Sequence, residues 1–112
     1  MKVAAPCDEG RLAEHFGHAP QFAMFDTDPE NRRIIKEEVI EAPPHQPGLL
    51  PKWLAEHGAD VILAGGMGHR AKSLFDQNGI RVVVGITAET ARAAVEAYLN
   101  DSLAPGPNLC DH

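Results

Sequence analysis

The chain has 112 residues, a formal net charge of -6 at pH 7, 44% hydrophobic residues and 23% charged residues. That length sets one domain with one modest core, and the composition is that of a folded globule rather than a disordered chain. The negative charge, with Arg32-Arg33 as the only basic pair, argues against a nucleic-acid or anionic-membrane surface.

Residues 2 to 6 read as a short apolar strand ending at Pro6, and residues 7 to 19 as a polar, glycine-containing loop with Cys7 at its mouth. Gln21 to Thr27 and Ile34 to Ile40 alternate with period two around Asp28-Pro29-Glu30-Asn31, which predicts a hairpin. A proline-rich loop over 41 to 48 precedes a helical stripe of Leu49, Leu50, Trp53 and Leu54 that stops at Gly58. Val61 to Ala64 is a continuous apolar run, as in a strand covered on both faces, and it leads into Gly65-Gly66-Met67-Gly68-His69. Ala71, Leu74 and Phe75 mark a second helix ending at Asn78-Gly79, and Ile80 to Val84 a further buried strand. Thr87 is taken as N-cap of a last helix whose stripe is Ala91, Ala94, Val95 and Tyr98.

This order requires parallel strands joined by right-handed crossovers together with one antiparallel strand. A five-stranded mixed α/β sheet with three flanking helices meets both needs. Residues 1 to 104 form the single domain, and 105 to 112 a flexible Cys/His tail beyond Pro105-Gly106-Pro107. The opening Met1 to Cys7 is too short in apolar residues for a signal peptide. No run approaches the roughly 20 apolar residues of a membrane span, so a cytoplasmic protein is expected. Two cysteines so far apart in a reducing compartment are free thiols or ligands rather than a disulfide.

In such a sheet the ligand site lies beyond the carboxyl ends of the parallel strands. Three segments meet there: the loop over 7 to 19, the glycine run 65 to 69, and the turn at Gly85 to Thr87. The glycine run lies between a strand and a helix, where backbone N–H groups and the helix dipole favour an anion. It lacks the Gly-Lys-Ser/Thr ending of a P-loop and the spacing of a dinucleotide fingerprint. In the loop, His15 and His18 flank Phe16-Gly17, so both imidazoles could turn toward one centre, near Cys7 and His69.

Met67 is a soft ligand by type and a packing residue by position. His45 falls in the proline-rich loop, on an undetermined edge, and His57 sits at a helix end as a partner for its dipole. In the tail, Cys110 and His112 are a thiolate and imidazole pair suited to zinc, copper(I) or iron. A nucleophile with a positioned base is not evident, since neither Ser73 nor Ser102 lies in a nucleophile elbow.

The polar loop with HFG followed by APQF, then VILAGGMG, then IRVVVG, then a cysteine and histidine tail, together resemble the dinitrogenase iron-molybdenum cofactor biosynthesis family. The resemblance covers about residues 2 to 100. It implies a ribonuclease H-like fold, a mixed five-stranded sheet with flanking helices. It also implies the handling of a metal-sulfur cluster, of iron-molybdenum type or of the molybdenum-copper type held by orange proteins, while the tail's ligand types leave a single zinc, copper or iron ion as the alternative.

The site expected is Cys7, His15, His18, Gly65, Gly66, Met67, Gly68 and His69 around the cofactor, with His15, His18, Cys110 and His112 as metal ligands. The expected function is a cofactor binding and carrier protein, not an enzyme, exchanging cargo with a donor or acceptor protein and binding neither nucleic acid nor membrane. Two other classes stay open. One is an anion-binding regulatory module that uses the glycine turn alone, and the other an enzyme dependent on Cys7.

Overall fold

A computed structural model describes residues 1–13, 19–28, 30–44 and 48–100. Within them the chain forms β1 (Lys2–Asp8), β2 (Arg11–Leu12), β3 (Gln21–Asp28), β4 (Arg33–Glu41), α1 (Leu49–Glu56), β5 (Val61–Leu63), α2 (His69–Gln77), β6 (Arg81–Val83) and α3 (Ala91–Leu99). The sheet is mixed, with the order β4-β3-β1-β5-β6 and β2 added beside β1. β3 runs antiparallel to both neighbours, while β1, β5 and β6 are parallel.

The sheet thus has six strands among the described residues, where the sequence suggests five. The additional strand, β2, is two residues long and pairs Cys7 with Leu12 and Asp8 with Arg11. β1 also runs on past Pro6, its expected end, through Cys7 to Asp8. Proline is tolerated here because its missing N–H falls where none is needed. Ala5 and Cys7 face β3, so Pro6 faces the other way, beyond the last β5 pair at Ala4 and Ile62. The Pro6 carbonyl on that side accepts from Ala13 N at 2.9 Å.

Alternation along the strands sends side chains to two cores. Val3, Ala5, Cys7, Phe25 and Leu63 pack under α3, with Ala94, Val95 and Leu99. Ala4, Phe22, Met24 and Ile62 pack on the opposite face against α1 and α2, with Leu54, Phe75 and Ile80. Val3 and Phe25 on one face and Phe22 and Ile62 on the other are all fully buried, so the strands at the centre of the sheet are covered on both faces.

The hairpin between β3 and β4 is built by Asp28. Its carboxylate accepts from the backbone N–H groups of Glu30 (3.1 Å) and Asn31 (3.3 Å) and from the Asn31 side-chain amide (2.6 Å). The bond from the Asn31 side chain, then that from its backbone, holds the Asp28 carboxyl below its ordinary range. A further correction concerns α3. Its N-cap is Thr90 rather than Thr87, and the Thr90 hydroxyl accepts from Ala93 N at 3.0 Å. Among the described residues no helix is long and apolar enough to cross a membrane.

Candidate functional site

The carboxyl ends of β1, β4, β5 and β6 open on one edge of the sheet, and the connections that leave them are tied together by hydrogen bonds. Gly85 N donates to Gly65 O (3.1 Å) and Ile86 N to Ala64 O (3.2 Å), which carries the β5–β6 ladder into the glycine run. Leu12 N donates to Glu89 O (3.4 Å) and Ala91 N to Gly10 O (3.1 Å), fastening the start of α3 to the β1–β2 turn. On the other side, Glu9 N donates to Gln21 Oε1 (3.3 Å), Gln21 Nε2 to Glu41 Oε1 (3.2 Å), and Ala42 N to Pro20 O (2.9 Å). The result is a rim that runs from the end of β4 to the start of α3. Gln21 and Glu41 were not foreseen as rim residues, and only the register of the hairpin could have paired them.

The glycine run lies on this rim. Gly65, Gly66 and Met67 are buried, while Gly68 and His69 are exposed where α2 begins. Gly68 is the N-cap of α2, and with no side chain of its own it gives the first turn no cap hydrogen bond. Its backbone, at φ -72 and ψ 162, is ordinary extended geometry. A Cβ on it would meet nothing within 4 Å among the described residues. Neither conformation nor packing therefore calls for glycine at this position. The neighbouring Met67 is 1% exposed and packs in the same core as Ala64 and Phe75.

Cys7 reaches the rim on β1, but its side chain is turned into the α3 core and is fully buried, not at a loop mouth. β2 and β3 pair on either side of it, so the ladder encloses the residue that the sequence leaves in a loop. Desolvation by burial pushes the thiol pKa up, and backbone hydrogen bonds from Gly10 and Ala23 offset only part of this.

His15 and His18 lie outside the described residues, as do His45, Cys110 and His112. The segment that holds His15 and His18 is bounded by Ala13 and Ala19, and both flanks pack in the same core as Ala64 and Met67. The proline-rich loop also leaves the rim, from Ala42. His57 belongs to the opposite edge. It caps the C-terminal end of α1, its ring meets Trp53 edge-on at 4.7 Å, and its carbonyl accepts from Lys2 Nζ.

His69 also lines a cleft of ≈ 610 Å³ that runs between α2 and the start of β6, with Lys72, Ser73, Asp76 and Arg81. The spacing 69, 72, 73, 76 marks one helix face, a signal present in the sequence but without the strand that completes the cleft. Among the described residues no group of three His, Cys, Asp or Glu side chains is placed to hold a metal ion.

Comparison with known proteins agrees with this architecture. The family model described as dinitrogenase iron-molybdenum cofactor matches residues 1–101. An uncharacterised protein of Methanocaldococcus jannaschii is 36% identical over 87 residues, which span 73% of this chain and 72% of that one. Among solved structures, PH0822 superposes with a TM-score of 0.85 at 30% identity, covering 94% of each chain. The apo form of the orange protein from Desulfovibrio gigas gives a TM-score of 0.73 at 22% identity, covering 96% of this chain and 93% of that one, a likeness of fold. The glycine run, the rim and the strand order described above are thus those of a chain that belongs to the dinitrogenase iron-molybdenum cofactor family.

Proposed function

We propose that this protein binds and carries a metal-sulfur cluster of iron-molybdenum or molybdenum-copper type as cargo, and that the exposed start of α2 is where the cargo docks. The observation that carries the reading is Gly68. It is a glycine that the described residues need for neither φ nor packing, at a helix start on the rim to which it brings no side-chain cap. Removing the side chain there leaves room for something outside the chain to approach the backbone, and the helix dipole favours an anion.

The described residues suit an anionic cluster better than a lone metal ion, because they supply backbone N–H groups and no three-ligand cage. On this reading His15 or His18, on the loop whose flanks reach the same rim, adds one or two labile bonds, and His69 stands at the exposed start of α2. A carrier has to release what it holds, so few bonds from protein side chains match the task. Cys7 is left out of the ligand set. Its buried, neutral thiol suits packing and equally disfavours an enzyme built on it. Cys110 and His112 form a separate pair that could take up a single zinc, copper or iron ion.

The strand order, with β3 antiparallel at its inner side, supports the ribonuclease H-like assignment. Fold alone carries no nuclease activity, and the described residues hold no carboxylate cluster for one. The carrier is read as working in the cytoplasm between a donor and an acceptor protein.

Anaerobic titration of the apo protein with an iron-molybdenum or molybdenum-copper sulfide cluster, followed by its absorption, tests the reading. Gly68→Ser adds a hydroxyl cap to α2 and so keeps or raises the melting temperature. The same change is expected to weaken cluster binding by roughly tenfold, the equivalent of one charge-assisted hydrogen bond. His15→Ala is expected to weaken it as well. Wild-type affinity in both variants would remove the rim as the docking place. Retention of phosphate or sulfate with no affinity for any cluster would favour the anion-binding module instead.

A further inference from the structure

Among the described residues the strand order leaves β4 at one border of the sheet, paired on one side only. Ala42 N donates to Pro20 O, and inward and outward backbone groups alternate along an antiparallel strand. Glu41, Val39 and Glu37 therefore turn their N–H and C=O groups away from β3. Two large hydrophobic side chains exposed among the described residues, Ile35 (69%) and Val39 (47%), are on this strand. A nine-residue strand with open backbone groups and exposed apolar side chains is a template for another strand.

The order of charges says which strand. Along β4 the basic residues Arg33 and Lys36 come first, and the acidic residues Glu37, Glu38 and Glu41 follow. A border protected only against aggregation needs charge, not charge sorted into a basic half and an acidic half. We infer that β4 pairs antiparallel with β4 of a second copy of this chain, about a two-fold axis at Glu37, so that one sheet continues through a dimer.

That axis stands perpendicular to the sheet and keeps each face on its own side, so residues that meet must be an even number of positions apart. Centred on Glu37, the pairing sets Lys36 opposite Glu38 of the second copy, twice. Centring on Lys36 or Glu38 instead sets Glu37 opposite Ile35 or Val39 and loses both ion pairs. The irregularity between Asp26 and Thr27 leaves a surplus residue in β4. Beyond Lys36, the Val39 to Glu41 end then runs along the apolar Ile34-Ile35 pair and the basic Arg33 of the copy. The two Glu37 carboxylates at the axis are each held by Arg92 at 2.9 Å, which offsets their repulsion.

Sedimentation of the full-length protein over concentrations up to the sub-millimolar range tests this. The wild type is expected to dimerise at low salt and to dissociate as salt is added, since the pairs are exposed. Lys36→Glu and Glu38→Lys are each expected to weaken dimerisation by roughly tenfold or more, because every reversal acts twice across the axis. Mixed in equal amounts, the two variants are expected to associate again, since one strand then carries acid at both positions and the other carries base at both. Both side chains are exposed, so the variants keep the fold, which circular dichroism checks. Val39→Lys supplies an independent disruption. A wild type that stays monomeric, a dimer that ignores both reversals, or a mixture that fails to associate would overturn the inference.

Discussion

Cys7 shows how a single residue can be legible in type and not in place. A thiol after a strand-ending proline reads as a loop ligand, because nothing local signals that Arg11 and Leu12 will pair back on it. Once paired, Cys7 is fully buried under α3, and the cost of desolvating a thiolate raises its pKa. The raised value belongs to the folded state alone. The stability gained by keeping the thiol neutral is therefore fully present below the unfolded thiol's pKa, and it is lost as pH rises through the folded value. Melting followed across alkaline pH should show a decline that Cys7→Ala lacks, even though that variant starts lower for want of packing. Iodoacetamide should react with Cys7 no faster than the protein unfolds. Rapid alkylation of the native protein would return Cys7 to the list of reactive groups. Gly68 is the converse case: its chemistry was legible from the glycine run, whereas its freedom from any structural need shows only in the folded backbone.

Among the elements, the long periodic ones were legible and the short ones were not. The β3–β4 hairpin and the stripes of α1, α2 and α3 follow from alternation and helical spacing, and their bounds agree within a few residues. β2 escaped because two residues have no period, and because its turn is Glu9-Gly10 rather than the Asn-Gly or Asp-Gly that signals a two-residue hairpin. Both turn residues have positive φ, 51° at Glu9 and 86° at Gly10, as the primed turn requires. Glutamate is strained there and asparagine is at ease. Glu9→Asn should stabilise the protein by about 0.5–1 kcal/mol in chemical denaturation. No change, or a loss, would mean that the turn is not held as described. The start of α3 was displaced for a related reason. Residues 89 to 91 are pinned to the β1–β2 turn, so the chain stays extended until Thr90. Thr90→Ala removes the cap and should cost about 1 kcal/mol, while Thr87→Ala should cost little.

For the whole molecule, the topology was legible because few arrangements satisfy a hairpin followed by right-handed crossovers. That logic puts the polar loop and the glycine run on one edge, where the structure places the glycine run and both flanks of the loop. What no local pattern could give is the bonded rim, since its pairs, such as Gly10 with Ala91 and Leu12 with Glu89, join residues far apart in sequence. The rim and the two cores also bear on whether a metal holds the fold. Phe22, Phe25, Leu54, Ile62 and Phe75 are fully buried, and each core draws on both the sheet and a helix, so apolar packing is expected to sustain the fold without a metal. A zinc finger, by contrast, has no such core and unfolds without its ion. The metal-free protein should melt cooperatively, at the same temperature with and without a chelator. Deleting residues 105 to 112 should leave that temperature unchanged, because the family match ends at residue 101 and the two cores are built from described residues up to Leu99. The deletion should also spare the spectrum of the bound cluster while abolishing uptake of a lone zinc or copper ion. If chelation or deletion removes the cooperative transition, the metal is structural and the carrier reading has the wrong energetic basis.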